Sequence, residues 1–366
     1  MKEPPRRQFI KSCSLLALSG FGPAWASLSP ACGRTEKRAA STGPAGEGHV
    51  DQPPAQIDPN FEPAYLKLHR NGELKKRGEE LWKIMESCRL CPRQCGANRL
   101  AGEKGFCQST SQLEIAAYHP HYGEERPLVG RGGSGTIFLT HCGLRCVFCI
   151  NWQISQGGQG ERRRIEEMAA MMLHLQQMGC GNINLVTPTH YSAHVLLAVG
   201  LAAAKGLRLP LVYNTCGWER PEILKMLDGV VDIYLPDFKY SDGKMAEKYS
   251  SGADTYPEVT QQALPEMHRQ VGVAKPAADG RMYRGLMIRH LVMPNRVGGT
   301  KEVIEWIAQN LPKDTYVNIM SQYQPTYKAF DYPAIARRIT RQEYVEAVQW
   351  ARDAGLTNLD LQGYRG

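Results

Sequence analysis

No stripe of basic residues interleaved with aromatics runs through this 366-residue chain, so it lacks the usual electrostatic footprint of a nucleic-acid binder. The formal net charge is +8, but Lys2, Arg6, Arg7 and Lys11 against Glu3 place +3 of it in the first eleven residues, leaving +5 on the body. No Ser-His-Asp arrangement, phosphate loop or paired-carboxylate constellation stands out, and hydrolase or phosphoryl-transfer chemistry has nothing to rest on. No internal repeat is found, which argues against a solenoid. The longest uncharged stretch near the N-terminus is too short to span a bilayer, so no stable membrane span is expected. What remains is 42% hydrophobic and 22% charged, the composition of an ordinary globular protein large enough for one domain with an appendage.

The N-terminus reads as a targeting segment. Pro5-Arg-Arg-Gln-Phe-Ile-Lys11 precedes an uncharged stretch from Ser12 that ends in Ala24-Trp25-Ala26, giving a positive region, an apolar region and an A-x-A cleavage signal. The paired arginines with Phe9 and Lys11 resemble a twin-arginine signal, which implies a periplasmic destination; residence in the cytoplasm is the alternative. Residues 1–26 are therefore expected to be a signal peptide. Residues 27–57, rich in Ser, Ala, Gly and Pro, are expected to be a disordered linker. Residues 58–130 would form an N-terminal helix, near Glu73 to Glu86, with a cysteine-rich metal module, and residues 131–366 the core domain.

Cysteine is the informative residue. Seven of the eleven fall in two tight sets. Cys142, Cys146 and Cys149 lie in Thr140-His-Cys-Gly-Leu-Arg-Cys-Val-Phe-Cys-Ile150, a C-x3-C-x2-C spacing just after an expected strand. Three thiolates on one short loop can hold three irons of a cubane cluster and leave the fourth without a protein ligand, where a small molecule can bind and receive an electron. A closed zinc site normally takes four ligands, and three cysteines cannot pair among themselves. The second set, Cys88, Cys91, Cys95 and Cys107, has C-x2-C-x3-C-x11-C spacing. Four thiolates would close a zinc or iron–sulfur site fully; disulfides are the alternative in an oxidising compartment.

Beyond the cysteine sets, β-rich runs alternate with helical patterns. Strands are expected at 135–140, 182–186, 210–213, 231–235, 286–292 and 316–320. Helices are expected at 165–178, 195–205, 221–227, 301–310 and 342–353. Gly179, Gly206 and Gly355 follow helical runs, where a left-handed cap is wanted. Six strand–helix repeats imply parallel strands joined by right-handed crossovers, either doubly wound or curled into a barrel, with the chemistry at the C-terminal strand ends.

The run Gly133-Ser-Gly-Thr-Ile-Phe-Leu-Thr-His-Cys-Gly-Leu-Arg-Cys-Val-Phe-Cys-Ile-Asn151 resembles the cluster loop of radical S-adenosylmethionine (SAM) proteins, in particular relatives of the pyruvate formate-lyase activating enzyme. The likeness continues through His121–Leu128, Asn184–His190, Val212–Glu219, Asp232–Lys239, Ile288–Pro294 and Met320–Tyr323. It implies an α/β fold, a partial (β/α)6 TIM-like barrel of the radical SAM type. Cys142, Cys146 and Cys149 would ligate a [4Fe–4S] cluster with SAM on the fourth iron. Phe148 would pack near the adenine, and Asn214, Thr215, Asp237 and Lys239 would meet SAM at the ends of the third and fourth strands. The family often carries Gly-Gly-Glu at the end of the second strand to bind the SAM ammonium; here Thr187-Pro-Thr-His190 offers Thr187 and Thr189 hydroxyls and no carboxylate.

The resemblance further implies an oxidoreductase that generates a 5′-deoxyadenosyl radical. It implies a low-potential electron donor and, as substrate, a glycine in a partner glycyl-radical enzyme. Relatives with additional ferredoxin-like clusters favour an iron–sulfur relay at the second cysteine set. The competing expectation is an exported iron–sulfur carrier or assembly factor without SAM activity. His119 and His121 flank Pro120 in what reads as a solvent-facing loop. His190 and His290 lie near strand ends, suited to carrying protons, though His290 could equally be packed. Glu124-Glu125 reads as a solvated pair.

Overall fold

The protein was analysed as a computed structural model that describes residues 61–364. The expected signal and linker lie outside the described residues. Leu74 and Leu81 are fully buried on the helix Glu73–Lys83, whose apolar stripe packs against the helix Ser192–Ala204. One 3-10 turn, Ile84–Ser87, then delivers the chain to Cys88.

Nine strands form one sheet: β1 (Leu113–His121), β2 (Ser134–Leu139), β3 (Glu161–Arg163), β4 (Ile183–Val186), β5 (Leu211–Thr215), β6 (Ile233–Pro236), β7 (Gly285–Leu291), β8 (Tyr316–Met320) and β9 (Leu359–Leu361). Their spatial order is β3-β1-β2-β4-β5-β6-β7-β8-β9. From β2 through β9 every neighbouring pair is parallel, while β1 runs antiparallel to β2 and β3 at one edge. Parallel pairing requires a crossover, and helices supply it; Ile165–Gln177 joins β2 to β4 after β3, and Thr300–Asn310 joins β7 to β8.

All six expected strands are present. Two differences are physical. His119 and His121 sit on a strand, because Pro120 lies beyond the short β3 pairing of Leu113–Ile115 and its missing N–H faces no ladder. The helix Tyr256–Val271, interrupted in sequence by Pro265, also forms. Its Tyr256, Thr260, Ala263, Leu264 and Met267 are buried, so packing overrides the proline penalty.

Strand periodicity divides the side chains into two sets. Ile137, Ile183, Leu185, Tyr213, Ile288 and Val317 join the large apolar core with the helices. On the opposite face, Thr136, Asn184, Val212 and Ile233 form one cross-strand row, and Asp237, Arg289 and Asn318 another. A smaller apolar cluster of Val212, Ile233, Leu235, Met287 and Tyr316 fills this second face beneath its polar groups. Fully buried aliphatic strands on both faces are what a parallel sheet demands.

Candidate functional site: a three-cysteine loop at the strand ends

The loop after β2 carries Cys142, Cys146 and Cys149 on a backbone that turns sharply, with φ +68° at His141 and +51° at Arg145. Neighbouring elements hold it at several points. Val147 N donates to Tyr249 O at 2.9 Å, Lys328 N to Val147 O at 3.0 Å, and Gln156 Nε2 to Cys146 O at 2.7 Å. The sulfurs meet polar hydrogens: Ser250 Oγ donates to Cys146 Sγ at 3.1 Å, Leu144 N lies 3.4 Å from Cys142 Sγ, and Ser155 Oγ is 3.2 Å from Cys149 Sγ. Phe148 is buried between Tyr240 and Tyr323, with ring centroids 6.4 and 6.0 Å away.

The ends of β6 and β7 place charge beside this loop. Lys239 Nζ donates to Asp237 Oδ2 at 2.6 Å, and Arg289 Nε to Asp237 Oδ1 at 2.8 Å. Arg289 also donates to Asn214 Oδ1 at 2.6 Å and lies 3.7 Å from Glu124. Burial raises the Asp237 pKa, but Arg289 and Lys239 outweigh it and hold the carboxylate below its ordinary value. Burial likewise disfavours the Lys239 charge, and Asp237 and Cys146 more than restore it. Lys239 in turn favours the ionised form of all three loop thiols. Even so, burial pushes Cys146 up to about 12 and raises Cys149. Three thiolates can coexist here only with a compensating positive charge, which a metal supplies.

At the next strand ends the sequence named Thr187, Thr189, Asn214 and Thr215 but not Glu219, Cys216 or Tyr256. Thr187 has φ +60° and its N–H donates to Asn214 O at 2.8 Å. Thr189 donates to Glu219 Oε1 at 2.5 Å, and Thr215 donates to the same oxygen. Glu219 is fully buried, its Oε2 has no hydrogen-bond partner, and burial pushes its pKa up to about 7. The carboxylate absent from Thr187-Pro-Thr-His190 is thus present nearby in space, contributed from beyond β5. Cys216 lines the same cleft as Cys142; the proximity of the two thiols draws the Cys142 pKa down to about 6 and raises that of Cys216. Tyr256, from the unexpected helix, ties these ends together: its hydroxyl accepts from Lys239 N at 2.9 Å and lies 2.9 and 2.8 Å from the carbonyls of Cys216 and Asp237.

The second cysteine set lies against the first. Cys91, Cys142, Gly143, Thr187, Cys216 and Trp218 line one small cleft, and a Cβ added at Gly143 would stand 3.5 Å from Cys91 Sγ. Arg93 spans the two sets, donating to Gly143 O, Ser250 O and Gly252 O at 2.9–3.0 Å. A Cβ at Gly105 would lie 3.2 Å from Cys95 Sγ and 3.5 Å from Cys107 Sγ, so those two thiols share a turn. Cys88 and Cys107 are buried, Cys91 is half-buried and Cys95 is exposed. Among the described residues, no three His, Cys, Asp or Glu side chains stand close enough to grip a single ion, and the nine described cysteines are all free thiols.

Several expectations are corrected. Glu124 and Glu125 are not solvated: Glu125 is buried and accepts from Asn318 Nδ2 at 2.9 Å, while burial pushes Glu124 up to about 7 against the pull of Arg289. His290 is a packed histidine. It lies 2.6 Å from Phe238 O and 2.9 Å from Thr300 Oγ1, and burial pushes its pKa down to about 4. His190 is buried beside Thr140 O at 2.8 Å and is driven to its neutral form, first by burial and then by Arg99. Among the described residues, no helix is long and apolar enough to cross a membrane.

No family model matches the chain. Solved structures that resemble it include a radical SAM methyltransferase from Sphaerobacter thermophilus (TM-score 0.42, 16% identity, 62% of this chain and 67% of that one), and HydG, a maturase of the [FeFe]-hydrogenase (TM-score 0.42, 12% identity, 62% of this chain and 50% of that one). Two uncharacterised proteins of Methanocaldococcus jannaschii are similar in sequence. One is 24% identical over 67% of this chain and 73% of its own. The other is 32% identical over 82% of this chain and 84% of its own. At that identity and extent, the chain belongs to the family of this second archaeal protein.

Proposed function

We propose that the protein is a radical SAM enzyme whose sheet is an incomplete (β/α) barrel with the reacting groups at its C-terminal rim. Cys142, Cys146 and Cys149 would hold the [4Fe–4S] cluster, and the donor set fits it: three sulfurs from one turn, each under the field of Lys239. That convergence carries the reading. When bound, the cluster supplies one electron that cleaves SAM to methionine and the radical that takes hydrogen from the substrate.

The chain's own residues bind and orient. Lys239 and Arg289 flank Asp237 at the rim and offer cationic donors to an amino-acid carboxylate. Asn214, Thr187 and the Thr189–Glu219–Thr215 cluster border the same strand ends, and Phe148 with Tyr240 and Tyr323 offers an aromatic wall on which a base can rest. The quartet Cys88, Cys91, Cys95 and Cys107 would close a second metal centre. A glycine of a glycyl-radical enzyme is the proposed substrate and a low-potential donor the proposed reductant.

Cys146→Ala provides the test. After anaerobic reconstitution the variant should hold less iron at the loop and form no 5′-deoxyadenosine from SAM and dithionite, whereas the unaltered chain does form it. Normal SAM cleavage by the variant would refute the cluster assignment. Failure of the unaltered chain to bind millimolar SAM would favour a non-enzymatic carrier.

A further inference from the structure

Arg99 is fully buried, and among the described residues its hydrogen-bond partners include no carboxylate. Its guanidinium donates to Thr110 O from Nε at 3.1 Å and from Nη2 at 2.8 Å, and to His190 O from Nη1 at 2.8 Å. Nη1 also approaches Cys88 Sγ at 3.7 Å, and the Tyr191 ring centroid lies 5.9 Å away. A guanidinium stays charged at every pH a protein survives. Burying such a charge without an anion is strongly unfavourable, as when a buried ion pair loses one partner.

The titratable groups facing Arg99 are few. His190 and His194 are neutral, driven so by burial and by Arg99 itself. The Tyr191 ring faces it, and Cys88 touches it. Among the described residues, the acidic group in hydrogen-bond contact with Arg99 is thus a cysteine sulfur of the quartet.

We propose that Arg99 is the counter-cation of an anionic four-thiolate iron–sulfur centre held by Cys88, Cys91, Cys95 and Cys107, whose side chains stand too far apart to grip a single ion. Four thiolates around a [4Fe–4S] core of charge +2 leave a net charge of −2 in a partly buried site. Arg99 offsets half of it through its contact with Cys88. Such an outer partner commonly governs metal affinity by about 10- to 100-fold. The inference rests on reading the quartet as a metal centre and is independent of the SAM reading.

The experiment uses the full chain with Cys142, Cys146 and Cys149 all replaced by alanine, prepared anaerobically, so that only the quartet remains to bind metal. Elemental analysis with acid-labile sulfide should give four irons and four sulfides per chain, and zinc without sulfide would overturn the proposal. In this background Arg99→Met should weaken metal retention against a competing chelator by about tenfold or more, and Arg99→Lys should keep it within about threefold. Arg99→Gln, which keeps a donor and drops the charge, serves if Met does not fold. Denaturation with and without metal should give Arg99→Met or Arg99→Gln a larger loss in the loaded protein. Absence of metal at the quartet, or equal retention by charged and neutral side chains at position 99, would overturn the proposal and leave the Cys146 experiment unaffected.

Discussion

Asp237→Ala is expected to destabilise the metal-free chain by about 3–5 kcal/mol, the loss typical of a buried ion pair that forfeits one partner. The carboxylate stands between two buried cations, 2.6 Å from Lys239 Nζ and 2.8 Å from Arg289 Nε. Its removal takes the carboxylate from Lys239 and leaves Arg289 with Glu124 at 3.7 Å. Lys239→Met should cost less, because Asp237 keeps Arg289. Guanidinium unfolding under reducing conditions measures both variants. A loss below about 1 kcal/mol for Asp237→Ala would mean that the cations escape to solvent, the ordinary behaviour of a surface pair.

The second large effect concerns the turn after β5. Gly217 has φ +82°, and an added Cβ would stand 1.9 Å from Asp237 O, which is backbone and cannot yield cheaply. Gly217→Ala should therefore cost about 3 kcal/mol or more, combining left-handed strain with overpacking. It should also displace the strand end that carries Asn214, Thr215 and Cys216. Gly272 isolates the two contributions, since it has φ +72° but nothing within 4 Å of its added Cβ. Gly272→Ala should cost only about 1–2 kcal/mol. Equal losses at the two positions, read by thermal unfolding, would remove the close approach as a cause.

Local chemistry made the sheet legible. β-branched runs bounded by glycine and proline marked β2 and β4 to β8, and Gly206, expected as a cap, closes its helix at φ +96°. Two of the elements that escaped carry prolines: Pro120 where β1 has no partner on its β3 side, and Pro265 inside a helix whose packing outweighs the penalty. Others, such as β3, β9 and the helix Gly243–Tyr249, are too short to show a period. In the site, spacing announced the three loop cysteines because they are neighbours in sequence. Glu219 meets Thr189 across 30 positions, Arg99 meets His190 across 91, and Asn318 reaches Glu125 across 193. No periodicity or spacing encodes such meetings; they exist only once the strands are in register. Cys216 had a local cue after all, standing next to Asn214-Thr215 at a strand end.

The proximity of Cys142 and Cys216 has a chemical corollary. If the loop holds iron as proposed, the empty loop has an acidified sulfur beside a second thiol, a pair that air can couple. Exposure to oxygen would thereby bar loading until a reductant severs the bond, so protein handled in air should take up iron only after reduction.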